Sequence, residues 1–273
     1  MRSAWLKRRR PVWENNNTNL EMLNTAIKAA EAAGEIVKRY FEKTGLERKT
    51  KDDATFVTLA DKEAEDAIIK VIKAEYPDHG ILGEETGRGN SQSSYLWVID
   101  PLDGTTNFVN GIPIFATSIA LIENGLPIVG VVHNPITNSL YTAEKGKGTT
   151  YNGRSAYVSD QGAKEGVITF GPGVGEKEKF SVLFSQSGVI FKSRRYLGST
   201  ALELGFVSRG GTEGVIVIGL NKWDYAAGVL LVQEAGGMIT DWEGKSCTLD
   251  QNFFIASNGK VHKELLELVK VAR

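Results

Sequence analysis

The sequence predicts an α+β half followed by an α/β half. Three observations carry that reading. Two stretches of helical period open the chain, at residues 18–40 and 61–76. Short β-prone runs separated by turn signals then follow, between residues 95 and 156. In the remainder helical and extended segments take turns, the pattern of helices layered on a sheet.

Each element has its own signal. Thr18 and Glu21 have the S/T-x-x-E spacing of a capping box. Leu20, Leu23, Ile27, Ala30, Ile36, Val37 and Tyr40 then recur at helical spacing, and Gly45 is placed to stop the helix. The second helix buries Ala64, Ile68, Val71 and Ile72 and ends at Pro77, with Thr58 and Asp61 spaced as its capping pair. Residues 95–99 are an apolar run leading straight into Asp100. Residues 115–122 and 127–132 flank Asn124-Gly125, a strong hairpin signal. Residues 139–143 continue that sheet, and Asn152-Gly153 marks another turn.

In the second half, residues 167–170 read as a strand and 177–187 as a helix. Residues 189–191 and 196–197 read as short extended pieces. A helix at 199–208, a buried strand at 214–218 and an apolar helix at 224–235 follow. Strands at 238–240 and 253–256 and a helix at 262–271 close the chain. Ser159-Asp160-Gln161-Gly162 reads as a linker. The division is therefore a disordered leader (1–17), an N-terminal half (18–158) and a C-terminal half (159–273).

Composition narrows the function. The 273 residues are 41% hydrophobic and 24% charged, a soluble globular mix. Lys+Arg total 32 against 33 Asp+Glu, and this balance makes a nucleic-acid binder an unlikely reading, because phosphate backbones call for a basic excess. A single cysteine, Cys247, excludes an intramolecular disulfide framework and a multi-thiolate zinc site, and fits a reducing, cytoplasmic setting. No apolar run approaches the roughly 20 residues of a membrane-spanning helix. The leader is basic at Arg8–Arg10 but has no apolar core behind it, so it does not read as a secretory signal.

Four segments carry candidate chemistry. Asp100-Pro101-Leu102-Asp103-Gly104-Thr105-Thr106-Asn107-Phe108 sets two carboxylates at the mouth of an apolar strand. Asp is disfavoured in strands, so the pair needs a reason, although an Asx-type turn with a helix cap at Thr105 or Thr106 also fits. Gly83-Glu84-Glu85 reads as an acidic loop, Asp224 as a helix-start acid ahead of Ala226-Ala227-Gly228, and Thr58–Asp61 as a cap. Together they supply Asp61, Glu84, Asp100, Asp103 and Asp224, oxygen donors of the kind that hard cations such as Mg²⁺ prefer.

In order and spacing, the Gly83-Glu84-Glu85, 100–108 and 223–237 segments resemble the signatures of the inositol monophosphatase family, over roughly residues 20–270. The resemblance implies a layered αβαβα sandwich of the sugar-phosphatase type. It also implies a Mg²⁺-dependent phosphomonoesterase with two or three ions, acting as a homodimer on a small phosphorylated metabolite, inositol 1-phosphate first among them. By matching positions, Glu84, Asp100 and the Leu102 carbonyl would hold one ion, and Asp100, Asp103 and Asp224 a second. Glu84 and Asp61 would help place a third. Thr105, paired with Asp61, would orient or deprotonate the attacking water, with Glu84 beside them. The backbone N–H groups of Gly104 and Thr105 would cradle the phosphate beside Asp103. Gly198, Ser199 and Thr200 would form the rim for the alcohol.

Departures bear on the substrate. Many inositol-specific relatives carry a Glu seven residues before the last metal-binding Asp, and here that residue is Val217. Lys51 matches a basic residue that many relatives carry near the site. Lys192, Arg194 and Arg195 would be placed to meet a second phosphate, which would favour fructose 1,6-bisphosphate. Residues 51–58 lean toward the histidinol-phosphate branch. The remaining alternative is an accessory protein on the same fold. No G-x-S-x-G element is present, the histidines at 79, 133 and 262 are scattered, and the acids lack EF-hand spacing.

Overall fold

The computed structural model describes residues 15–41, 49–50, 56–89 and 93–272. Gly45, Lys51 and residues 1–14 of the leader lie outside the described residues. In chain order the elements are α1 (Asn15–Phe41), β1 (Lys49–Thr50), β2 (Phe56–Val57), α2 (Leu59–Glu75), β3 (Gly80–Gly83), β4 (Gly87–Arg88), β5 (Tyr95–Asp103), α3 (Thr105–Val109), β6 (Ala116–Glu123), β7 (Leu126–Asn134), β8 (Ser139–Glu144), β9 (Gly148–Tyr151) and β10 (Arg154–Ala156). They continue as β11 (Val167–Pro172), α4 (Lys177–Ser187), β12 (Ser193–Arg195), α5 (Thr200–Ser208), β13 (Gly214–Ile218), α6 (Lys222–Glu234), β14 (Met238–Asp241), β15 (Phe253–Ser257) and α7 (His262–Val269).

The strands form an eight-stranded sheet, ordered β10-β9-β8-β7-β6-β5-β3-β4, a five-stranded sheet, ordered β12-β11-β13-β15-β14, and the separate antiparallel pair β1-β2. In the large sheet all neighbours are antiparallel except β3 and β5. In the small sheet β12, β11 and β13 run parallel, and β15 and β14 are added antiparallel.

Alternating side chains sort these elements into layers. On β6, Ile119 and Leu121 face a core shared with Met22, Ala26, Ala30 and Val37 of α1 and Ala64, Ile68 and Ile72 of α2. Ala116, Ala120 and Ile122 of the same strand face a second core with Leu204 of α5 and Leu230 and Leu231 of α6. Val215 and Val217 of β13 close that second core from the other side. Ile216 and Ile218 turn instead to a third core with Leu183 of α4 and Leu265 of α7. Period-2 alternation on strands buried on both faces thus gives helix, sheet, helix, sheet, helix. The architecture is an αβαβα sandwich.

Middle helix α6 comes very close to its neighbours. A Cβ added at Gly228 would lie 2.5 Å from the Leu204 side chain, and one at Gly130 of β7 would lie 2.8 Å from the Ala227 carbonyl. Small residues there let backbone meet backbone.

Several elements differ from their sequence expectation. Helix α1 begins at Asn15, so Thr18 lies inside it and is not its cap, and residues 15–17 are helical, not part of a disordered leader. Residues 189–191 and 196–197 are not strands. The strand is the polar Ser193–Arg195 between them, because register against Val167, Ile168 and Thr169, not hydrophobicity, selects it. Strands β9 and β10 flank Asn152-Gly153, where only a turn was expected. The Asn124-Gly125 hairpin is present with both φ values positive, at 51° and 83°.

Candidate active site

Strand β5 delivers two carboxylates to one place through an irregularity. Asp100 pairs with Ser118 and Asp103 with Ala116, so three steps on β5 oppose two on β6. Residues three apart on a regular strand face opposite ways, and the extra residue of a bulge re-aims one of them. Pro101 sits in the bulge, where its missing N–H costs no ladder bond. Its carbonyl accepts the Thr117 hydroxyl at 2.9 Å, and the Leu102 N–H donates to Asp100 Oδ1 at 2.9 Å.

The chain then turns at Gly104, whose φ of 96° favours glycine, and starts α3 at Thr105. A Cβ at Gly104 would lie 3.0 Å from the Gly198 and Ile114 carbonyls, so the backbone there would have to give way as well. Neither Thr105 nor Thr106 caps this helix; both lie inside its first turn. The single proton of the Thr105 hydroxyl has two acceptors within reach, Asp61 Oδ1 at 3.3 Å and the Leu102 carbonyl at 3.1 Å. Asp61 is the third residue of α2, and its Oδ2 accepts both the N–H and the hydroxyl of the N-cap Thr58, each at 2.7 Å. A capping box thereby holds Asp61 with its other oxygen facing Thr105.

Glu84 follows β3, with its N–H on the Ile99 carbonyl at 3.2 Å. Beneath it the buried Glu65 carboxylate accepts the N–H groups of Glu85 at 3.0 Å and Thr86 at 2.8 Å. Glu65 escaped the sequence reading, although with Asp61, Ile68 and Ile72 it completes the buried stripe of α2. Asp224 is the third residue of α6, not its N-cap. Asn221 is the cap, and its N–H donates to Asp224 Oδ2 at 2.8 Å.

These residues converge. Glu84, Asp100, Leu102, Asp103, Gly104, Thr105 and Asp224 line one cavity of about 330 Å³, completed by Thr106, Asn107, Tyr196, Leu197 and Gly198. One carboxylate oxygen from each of Asp100, Asp103 and Asp224 lies within 4.8 Å of the others. Two ligands of one Mg²⁺ stand at most about 4.2 Å apart, so small side-chain adjustments fit all three to a hard cation.

Crowded acids raise one another's pKa. Burial pushes Asp100 well above the usual carboxylate range, and Glu84, Asp103 and Asp224 add repulsion. Burial lifts Asp103 to about 7, against hydrogen bonds from Ser199 and Ala201 that hold it down. It likewise lifts Asp61 to about 6, opposed by Thr58. No Lys or Arg is among the described residues lining the cavity. Neutralisation of the cluster is therefore left to protons or to bound cations.

Other expected residues sit elsewhere. Ser199 and Thr200 do not line the cavity. Both are buried, and the Ser199 hydroxyl and the Ala201 N–H each donate to Asp103 Oδ2 at 2.7 Å. Ser199 thus supports Asp103 from inside the protein and is not on the cavity wall. Arg194 and Arg195 also stay out. The Arg194 guanidinium lies 5.1 Å over the Phe184 ring, and Arg195 donates to the Arg194 carbonyl at 2.8 Å. Lys192 is exposed and does not line the cavity either. Val217 is fully buried in β13 and faces the middle layer, away from the cavity.

The model of the inositol monophosphatase family matches residues 18–272. The chain belongs to the inositol monophosphatase family. A relative named inositol-1-monophosphatase, from Mesorhizobium japonicum, is 38% identical over 255 residues, covering 91% of this chain and 96% of the relative. The Nus factor SuhB of Pasteurella multocida is 39% identical over 255 residues, with the same coverage. Among solved structures, the Thermotoga maritima IMPase superposes with a TM-score of 0.86 at 34% identity, covering 92% of this chain and 98% of that one. The inositol monophosphatase of Anabaena gives 0.84 at 33% identity, covering 94% and 98%. The layered sandwich is thus the inositol monophosphatase fold.

Proposed function

We propose that the chain is a Mg²⁺-dependent phosphomonoesterase that hydrolyses a small polyol phosphate, with inositol 1-phosphate the leading candidate. The observation that carries this is the convergence of Asp100, Asp103, Asp224, Glu84 and Thr105 on one cavity, with the buried Asp61 behind Thr105 and not itself on the cavity wall. Glu84, Asp100 and the Leu102 carbonyl would hold one ion, and Asp100, Asp103 and Asp224 a second. Bound Mg²⁺ supplies positive charge to the phosphate and acidifies water at neutral pH.

The chain's own groups do the rest. The N–H groups of Gly104 and Thr105, at the cavity wall, donate to the phosphate oxygens. When the Thr105 hydroxyl donates to Asp61, its lone pairs are free to accept a hydrogen bond from the incoming water. As that oxygen attacks phosphorus in line, its proton passes to Thr105 while the Thr105 proton passes to Asp61. A carboxylate titrating at about 6 is well matched to accept a proton near neutrality. The P–O bond to the alcohol breaks, the alkoxide takes a proton from water, and no phosphoenzyme forms.

A panel of inositol 1-phosphate, fructose 1,6-bisphosphate, histidinol phosphate and adenosine 3′,5′-bisphosphate, assayed for phosphate release, tests the substrate class. Preference for a monophosphate supports the reading, since the cavity wall holds no described cation for a second phosphate. Preference for a bisphosphate contradicts it. A second reading, an accessory role on the same fold, is favoured by relatives whose name is Nus factor SuhB. Release from none of the four by folded, Mg²⁺-supplied protein would select it.

A further inference from the structure

The acidic part of the cavity is accounted for by phosphate chemistry, but the rest of its wall is not. That part is Thr106, Asn107, Tyr196, Leu197 and Gly198. The Asn107 Nδ2 is committed, since it donates to the Ile114 and Leu197 carbonyls at 2.7 Å each. Gly198 has no side chain. Tyr196 is therefore the largest surface left, and it is 55% exposed.

The tyrosine stands on a built support. Its ring packs on Phe180 of α4, centroids 5.3 Å apart. The next residue is held at both its backbone N–H and its carbonyl. The Leu197 N–H donates to the buried Glu203 at 2.9 Å, and the Leu197 carbonyl accepts from Asn107. Such clamping presents the ring at low entropic cost. The wall offers no described Lys or Arg, so what it recognises is an uncharged body with an apolar face. Cyclic polyols have that character, with C–H groups on one ring face and hydroxyls around the edge.

We propose that Tyr196 is a specificity-determining residue whose ring forms the platform for the C–H face of a cyclic leaving alcohol. This rests on the phosphatase reading above. It assigns alcohol recognition to a residue other than Val217, which is sealed in the core, and other than Ser199 and Thr200, which lie behind the wall.

The test compares Tyr196→Phe and Tyr196→Ser with the wild type on two monoesters, cyclic inositol 1-phosphate and acyclic glycerol 2-phosphate. Loss of an aromatic contact predicts a fall of about tenfold in kcat/KM for the cyclic ester in Tyr196→Ser, carried by KM. Tyr196→Phe keeps the ring and is expected to retain activity, and the acyclic ester is expected to respond little in either variant. Saturation-transfer NMR with myo-inositol reads the contact without turnover. Ring C–H signals are expected with wild type and Tyr196→Phe and absent with Tyr196→Ser. Equal losses on both esters, or no loss in either, would overturn the platform while leaving the phosphatase reading intact. Wild-type protein inert toward both esters, with no myo-inositol signal, would overturn both.

Discussion

Asp100 and Asp103 show how much one added residue in a strand can do. Without the bulge at Pro101-Leu102, the two carboxylates would face opposite sides of β5 and no cluster would form. Thr105 is the neighbour whose hydroxyl can pass a proton to Asp61. Thr105→Val keeps the shape and removes that hydroxyl. Steady-state kinetics are expected to show kcat lowered by about 10²–10⁴-fold with KM nearly unchanged. A loss confined to KM would place Thr105 in binding instead. Asp100 and Asp103 stood out in the sequence because acids are disfavoured at the end of an apolar strand, whereas Asp61 and Asp224 suit a helix start and were joined to them only through the family resemblance. Glu65, Tyr196 and Glu203 were not legible. Each is an ordinary residue in its local sequence, and only the fold sets it against Glu85 and Thr86, against the cavity, or under Leu197.

At the level of elements, the turn after β3 depends on α2. Glu65 ties the N–H groups of Glu85 and Thr86, and the turn carries Glu84. Glu65→Ala leaves those donors unpaired and frees the turn. Calorimetric titration is expected to show Mg²⁺ affinity weakened by about 10–100-fold, the range for losing an outer partner of a metal ligand. Unchanged affinity would mean the turn holds itself. The contact between α6 and β7 is equally specific. Gly130→Ala sets a Cβ against the Ala227 carbonyl, and denaturant unfolding is expected to show a loss of about 1–3 kcal/mol. Helices and long strands were readable from periodicity. Strand β12 was not, since an edge strand of Ser193, Arg194 and Arg195 is defined by its partner β11 and not by its own composition.

Across the whole molecule, the site is where layers meet. Asp100 and Asp103 come from the large sheet, Asp61 from the outer helices, and Asp224 from the middle helix layer. Their electrostatics therefore act on global stability. Asp61 and Asp103 have folded values of about 6 and about 7, raised from 3.8, and Asp100 is also held well above the usual carboxylate range by burial. A carboxylate raised on folding stabilises the fold below its unfolded value and loses that contribution as pH climbs through the folded one. Metal-free protein is expected to melt at progressively lower temperature as pH rises from about 4 to about 8. Saturating Mg²⁺ is expected to flatten or reverse that slope, because cations replace the protons. Parallel slopes with and without Mg²⁺ would show that the cluster does not take the ion. The change from one sheet to the other was readable from where hairpins give way to alternation, whereas the sharing of α5 and α6 between the two sheets was not, since both are largely apolar and periodicity assigns them no face.

The most direct measurement is phosphate release from inositol 1-phosphate by wild type and Asp100→Asn, each with and without Mg²⁺, with circular dichroism confirming the fold. The account predicts release by wild type only when Mg²⁺ is present, and none above background by Asp100→Asn in either condition. Release that ignores Mg²⁺, or that survives in Asp100→Asn, would contradict it.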